Sequence, residues 1–297
     1  MPSPRGCFKN GCLGCLGFIV FLLLIVGVTA LMAWNDSKSS DPRDEVLAPL
    51  AADHSAILAG RPGRVVLNMA QGEFQIHAAQ PGEGLRVEAV YDAQLYNLEQ
   101  EFTTQPDSSW QFELDFYRTG SGMRAFLQSM FSDGPATRIH VFLPPDVPVE
   151  LVADVARGAL EGDLGGLWLT SADIQMSQGG VEVEFSEPLK EPMSSLRFRC
   201  SMGGGAIEGL GNASPSILDI SSSMGGAEVD LSGMWRNDCD VSISAKMGGM
   251  AVIIPQNVKV LQGAEARTPL PEFDPELREP VLRLRTKAKY GEVEIVH

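Results

Sequence analysis

The chain has 297 residues, is 44% hydrophobic and 21% charged, and carries a formal charge of −15. The apolar share is enough for a real core, and the composition excludes a disordered chain, a collagen-like chain and a disulfide-rich miniprotein. Residues 1–35 hold Arg5 and Lys9 and no carboxylate, which leaves 21 basic against 38 acidic side chains, a net −17, in the rest. Such a body repels phosphate backbones, so nucleic acid is excluded as a partner.

Residues 1–12 read as a short cytoplasmic segment. From Leu13 to Trp34 there are 22 residues without a formal charge. At roughly 1.5 Å per residue they cross a hydrocarbon core of about 30 Å as a helix. The competing reading is a cleaved signal peptide. The run is longer than an ordinary signal core, and Leu31-Met32-Ala33 is a poor cleavage site, so an uncleaved anchor is expected. Lysine and arginine counts beside the span are nearly balanced, but the short cationic N-terminus favours N-in, C-out. The expected location is therefore a bacterial inner membrane, single-pass. Membrane lipid surrounds residues 13–34, and the acidic body is periplasmic or otherwise extracytoplasmic. Cys7, Cys12 and Cys15 sit at the inner edge of the span. No fourth ligand accompanies them and no lipobox is formed, so they read as tolerated small residues; S-acylation stays open for a eukaryotic host.

Residues 35–62 read as a polar, proline-containing linker, and 63–150 as an irregular N-terminal β region. Within it Val65–Ala78 is strand, glycine, strand, and resembles one repeat unit. Leu85–Tyr91, Trp110–Tyr117 and Arg138–Leu143 alternate as strands. The apolar insertion Met123–Phe131 is either a packed loop helix or an exposed partner contact made by Met123, Phe126, Leu127, Met130 and Phe131.

Residues 151–297 are organised by a repeat. RGALEGDL, QGGVEVEF, MGGGAIEG, MGGAEVDL and MGGMAVII begin at Arg157, Gln178, Met202, Met224 and Met247, spaced 21, 24, 22 and 23 residues apart. A degenerate copy follows at Tyr290–Ile295. Before each glycine, apolar residues recur with period two: Leu151/Ala153/Val155, Ala172/Ile174/Met176, Leu196/Phe198/Cys200, Leu218/Ile220/Ser222 and Val241/Ile243/Ala245. One unit of some 22–24 residues cannot bury its own apolar face, but units stacked about 4.8 Å apart can. The expected fold is all-β, a right-handed parallel β-helix-like solenoid preceded by one transmembrane helix. Its bends fall at Gly158, Gly179, Gly180, Gly203, Gly204, Gly225, Gly226, Gly248, Gly249 and Gly291. Methionine at the bend is expected to be a soft inward filler. Cys200 shares a core slot, and Cys239 falls in a turn two units away, about 10 Å along the stack; both are expected to be free thiols. Leu261–Pro280 reads as a surface loop interrupting the last unit.

The succession Ile139–Leu164 (IHVFLPPDVPVELVADVARGALEGDL), the repeated glycine-pair units and Val252–Val260 (VIIPQNVKV) resemble the bacterial putative-adhesin β-solenoid families. These include head-GIN-type domains and the C-terminal domain of LiaF-like envelope proteins. The resemblance covers roughly residues 63–297. It implies a solenoid outside the cytoplasm with an adhesive, scaffolding or envelope-sensing role, and it transfers no functional residue.

Enzyme motifs are absent from the sequence. His54, His77, His140 and His297 show no ligand spacing, and no nucleophile elbow, phosphate loop or dinucleotide fingerprint occurs. Glu182, Glu184, Glu208, Glu228 and Asp230 alternate with apolar residues and read as a solvated outer face, with a weak calcium site as the minor alternative. No catalytic residue, cofactor or metal site is assigned. The expected function is a membrane-anchored, non-catalytic binding, adhesion or scaffold module whose partners are other membrane or envelope proteins. The alternatives are an accessory subunit of a larger membrane complex and an envelope-stress sensor.

Overall fold

The structure, a computed structural model, describes residues 26–28, 42–47, 60–93, 95–119, 137–267, 273–275 and 278–296. Fourteen strands dominate: β1 Pro42–Leu47, β2 Gly63–Ala78, β3 Arg86–Asp92, β4 Tyr96–Thr104, β5 Trp110–Arg118, β6 Arg138–Leu143, β7 Val149–Asp163, β8 Leu169–Glu184, β9 Ser195–Glu208, β10 Ile217–Met224, β11 Ala227–Asp230, β12 Cys239–Ile253, β13 Lys259–Gln262 and β14 Val281–Val296. Among the described residues of this body, a one-turn helix, α1 Leu210–Ala213, and a 3-10 turn, Glu265–Arg267, are the helical elements. The fold is all-β.

Parallel pairing runs through β2, β7, β8, β9, β10, β12 and β14 in sequence order, with β11 lying between β9 and β12. The repeat starts read from the sequence coincide with the register. Arg157 faces Gln178, Gln178 faces Met202, Met202 faces Met224, Met224 faces Met247 and Met247 faces Tyr290. The core follows from this alignment. Leu151, Ala172, Leu196, Leu218 and Val241 form one inward column, each at most 2% exposed. Burying one such Val, Leu or Ile side chain contributes about 1.5–3 kcal/mol, and the column repeats the contribution at every strand.

The strands do not stop at the glycines. β7, β8, β9 and β12 continue through them, and positive φ falls on the lone Gly158 (128°) and on only the first glycine of each later pair: 141° at Gly179, 135° at Gly203, 127° at Gly225 and 122° at Gly248. These residues stack on one another. A Cβ on Gly179 would lie 1.8 Å from the Gly158 carbonyl oxygen, and one on Gly203 equally close to that of Gly179. Gly72 in β2 belongs to the same stack, facing Gly158, so the parallel ladder starts at β2. The positive-φ glycine also resets the alternation. Around it four successive positions turn outward, which corrects the expectation for methionine: Met202, Met224 and Met247 are 40%, 41% and 42% exposed. The methionines that fill the core are Met69, Met176, Met193 and Met250.

One end of the ladder is covered. β5 pairs with Gly63–Met69 and β6 with Glu73–Ala78 of β2. β4 and β3 extend this cap by antiparallel pairing. Trp110, Phe116, Tyr91 and Phe74 are buried there, with Phe116 edge-on to Phe74 and Tyr91 and stacked on Tyr96. The Trp110 indole N–H donates to the Arg61 carbonyl at 2.9 Å.

Three further expectations are corrected. Residues 42–47, placed in the linker, form β1, antiparallel to β3, whose other side pairs with β6; an edge that would otherwise be open is thereby paired. Within the expected loop Leu261–Pro280, Leu261 and Gln262 belong to β13, which adds parallel to β14. Cys239 is not in a turn but opens β12, fully buried. Both Cys200 and Cys239 are free thiols. Residues 1–12 and the insertion Met123–Phe131 lie outside the described residues, as does the expected span 13–34 apart from 26–28, which are helical. Among the described residues no helix is long and apolar enough to cross a membrane.

Candidate functional site: a lateral trough on the ladder

Each long strand has two arms joined at its positive-φ glycine, and the outward residues of the two arms differ in chemistry. On the first arm several charges are paired across strands. Asp173 accepts from Arg199 at 2.9 Å and lies 3.3 Å from the Arg197 guanidinium, while Asp240 accepts from Arg283 at 2.6 Å and Arg285 at 3.1 Å. Ion pairs here link neighbouring strands because register places the partners side by side.

The second arm is acidic. Register sets Glu161 against Glu182, Asp163 against Glu184, and Glu184 against Glu208, with Glu228 further along. Glu182, Glu184, Glu208 and Glu228 are exposed, and none has an ion-pair partner among the described residues. Asp163 is different. Burial pushes its carboxyl up, but hydrogen bonds from the Ser186 hydroxyl and from the Gly165 and Ser186 amides outweigh this and hold it below the usual carboxylate range. No cluster of three or more ligating side chains is formed among the described residues.

Between the bend and this acidic row runs a trough. Gly180 faces Gly204, and Gly226 and Gly249 continue the floor. Across the stacked positive-φ glycines from this floor lies the outward column Met202, Met224, Met247 and Tyr290, the last 71% exposed. The wall on the other side carries Glu182, Glu228 and Glu294, separated by Ala206 and Ala251. The second glycine of each pair therefore has a different role from the first. It has no positive φ, and a Cβ on Gly249 would meet nothing within 4 Å, while one on Gly180 would meet only the Gly204 carbonyl oxygen at 4.0 Å. One on Gly226 would sit 3.5 Å from the Gly249 carbonyl oxygen, an ordinary contact, but one on Gly204 would sit 2.7 Å from the Gly226 carbonyl oxygen. Close approach therefore requires glycine at 204, whereas at 180, 226 and 249 it does not and the small residue opens the trough.

Of the predicted bend residues, Gly158, Gly179, Gly203, Gly225 and Gly248 lie in the tight stack, and Gly291 ends it, its Cβ position 1.9 Å from the Gly248 carbonyl oxygen. Gly180, Gly204, Gly226 and Gly249 lie on the floor. Met123, Phe126, Leu127, Met130 and Phe131 are outside the described residues.

One grouping escaped the sequence. His77 in β2 and His140 in β6 come within 6.0 Å, ring to ring, beside Phe142, over which the Arg86 guanidinium sits at 4.0 Å. Burial, then the neighbouring His140, lowers the His77 pKa, against opposing pulls from Asp163 and Glu161. Alternation makes both histidines outward, yet only the β2–β6 pairing brings them together, and no spacing announces that pairing.

No protein-family model matches the chain, and no curated protein is similar to it. Among solved structures it is similar to a putative cell adhesion protein from Clostridium sporogenes, at 13% identity and a TM-score of 0.38, covering 86% of this chain and 98% of that one. It is also similar to putative adhesins from Bacteroides fragilis (12% identity, TM-score 0.32) and Parabacteroides merdae (10%, 0.25), each over 86% of this chain and 96% of theirs.

Proposed function

We propose that the chain is a membrane-anchored β-solenoid outside the cytoplasm that binds a membrane or envelope protein without catalysis, through the lateral trough. The observation that carries this reading is the recurrence of glycine at 180, 226 and 249, where neither a positive φ nor a close backbone contact demands it. Only Gly204 among the floor glycines is required by packing, its Cβ position lying 2.7 Å from the Gly226 carbonyl oxygen. Repeated on successive strands, this choice leaves a small-residue floor, with the exposed methionine column on the other side of the stacked glycines. Flexible thioethers suit a surface that must accommodate a partner's apolar side chains. The carboxylate row opposite favours a partner carrying lysine or arginine.

What supports the solenoid is the unbroken parallel register from β2 to β14, with right-handed winding as the sterically favoured crossover. What supports anchoring is the uncharged run from Leu13 to Trp34. A photo-crosslinking residue placed at Glu228, which lines the trough, and another at Asp219, on the opposite arm, test the binding face in intact cells. A discrete adduct to an envelope protein from position 228 and none from position 219 is expected. Equal labelling from both positions, or none from either, removes the trough as the binding surface. Protease added to spheroplasts degrades the body if it is extracytoplasmic; full protection contradicts that placement.

A further inference from the structure

We propose that the free edge of β14 is a self-association surface, on which a second copy of this chain adds its own β14 antiparallel across a two-fold axis. The inference stands independently of the trough.

β13 takes up the outer edge of β14 only from Val281 to Leu284. From Arg285 to Val296 no strand lies on that side among the described residues. The consequence shows in the core columns. Met176, Cys200, Ser222 and Ala245 share one column and are each at most 4% exposed, yet Ala288, which faces Ala245, is exposed. Thr286 faces the buried Ile243 and is likewise exposed. Val293 and Ile295, facing Met250 and Val252, are only partly buried. The last strand thus presents inward residues and backbone hydrogen-bonding groups to a strand that the described chain does not supply.

The sequence of this edge is complementary to itself. Its first arm carries Lys287 and Lys289, and its second arm Glu292 and Glu294. All four are exposed, and none is in an ion pair among the described residues, in contrast to Arg283 and Arg285, which are both tied to Asp240. The corner at Gly291 shifts the inward–outward alternation by one residue. Consequently Ala288 and Val293 both face inward, and Lys289 and Glu292 both face outward, although their spacings are odd. A two-fold axis through the corner, between Tyr290 and Gly291, then matches arm to arm. Lys289 lies opposite the partner subunit's Glu292, and Lys287 opposite the partner's Glu294. On the inner side Ala288 meets the partner's Val293, and Thr286 the partner's Ile295. The unpaired stretch Arg285–Val296 is itself centred on that axis. Each copy contributes both kinds of pair, so the contact has four cross-strand ion pairs and a closed, isologous interface.

The test uses the full chain in mild detergent, with mass measured by light scattering. The wild-type protein should be a dimer. K287E/K289E and E292K/E294K should each weaken it on the order of a hundredfold, as four attractive pairs become repulsive. Mixing the two variants should restore a one-to-one dimer, because every arm then meets its opposite charge. A monomeric wild type, a dimer indifferent to both reversals, or folded variants that fail to reassociate on mixing would overturn the proposal. A second measurement needs no variant: carbodiimide treatment of mixed isotope-labelled and unlabelled wild type should yield a hybrid Lys289–Glu292 cross-link. Absence of that hybrid, with the edge occupied by another segment of the same chain or by a different protein, also overturns it.

Discussion

Gly179→Ala probes the stacked glycines against an internal control one residue away. At Gly179 the new Cβ would sit 1.8 Å from the Gly158 carbonyl oxygen and must retreat to at least 3.0 Å, in a backbone held at φ 141°. The unfavourable φ costs about 1–3 kcal/mol. Opening the ladder locally stretches one or two interstrand hydrogen bonds past useful length, at roughly 0.5–1.5 kcal/mol each. Together these amount to about 4 kcal/mol, or a Tm lower by roughly 8–16 °C for a body of this size. Gly180→Ala meets no atom closer than 4.0 Å and needs no positive φ. Removing unfolded-state freedom there should leave stability unchanged or raise it by up to about 1 kcal/mol. Urea and thermal unfolding followed by circular dichroism measure both. Equal effects from the two substitutions, or a Gly179→Ala cost below about 1 kcal/mol, would refute the stacked-glycine reasoning.

Ser222 is buried in a core column with no hydrogen-bond partner for its hydroxyl among the described residues, so Ser222→Ala should stabilise by about 1 kcal/mol, and a loss would contradict this. Leu218, wholly buried in mid-ladder, should cost about 2–5 kcal/mol on truncation to alanine, read from the urea midpoint. Asp238 receives two hydrogen bonds from the Arg278 guanidinium and one from the Val281 amide. Burial raises its pKa, but these partners outweigh burial and hold the carboxyl below 3.8. Its contribution is therefore present above that value and is lost as pH falls through the lower folded-state value. Asp238→Asn should cost about 2 kcal/mol at pH 7, and the difference from wild type should shrink on acidification below pH 4; a pH-independent difference refutes the assignment. Burial raises the pKa of both the Cys200 and Cys239 thiols. Iodoacetamide, followed by peptide mapping, should therefore modify them only after denaturation; labelling of either in the native protein counts against the burial described.

The sequence revealed the ladder because its inward columns are apolar with period two and its glycines recur every 21–24 residues, so that register could be read by alignment alone. It misplaced the bend methionines for a definite reason. Period two, extended through the glycine, predicts inward Met202, but positive φ at Gly203 resets the alternation and turns it out. It also treated both glycines of a pair alike, whereas positive φ marks the stacked one, and contact distances leave room at Gly180, Gly226 and Gly249 on the trough floor. β1, β4 and β13 were not recognised. β4, YNLEQEFTT, has a polar, half-exposed pattern, and β13 has four residues; such strands exist because an edge beside them needs covering. The Asp238–Arg278 clamp joins residues 40 apart and follows only from where β14 begins. The His77–His140 pair likewise follows only from the pairing of β2 with β6.

The central claim is that β2, β7, β8, β9, β10, β12 and β14 form one open stack with its outward columns in line. Pulsed electron-spin distances between labels at column positions 71, 157 and 178, each paired with a label at 290 and diluted with unlabelled chain, test it directly. At about 4.8 Å per strand, separations of roughly 29, 24 and 19 Å are predicted, falling in even steps. A short distance between 71 and 290, or distances that do not fall in the order of the strands, would mean that the sheet closes on itself, and the continuous trough would go with it.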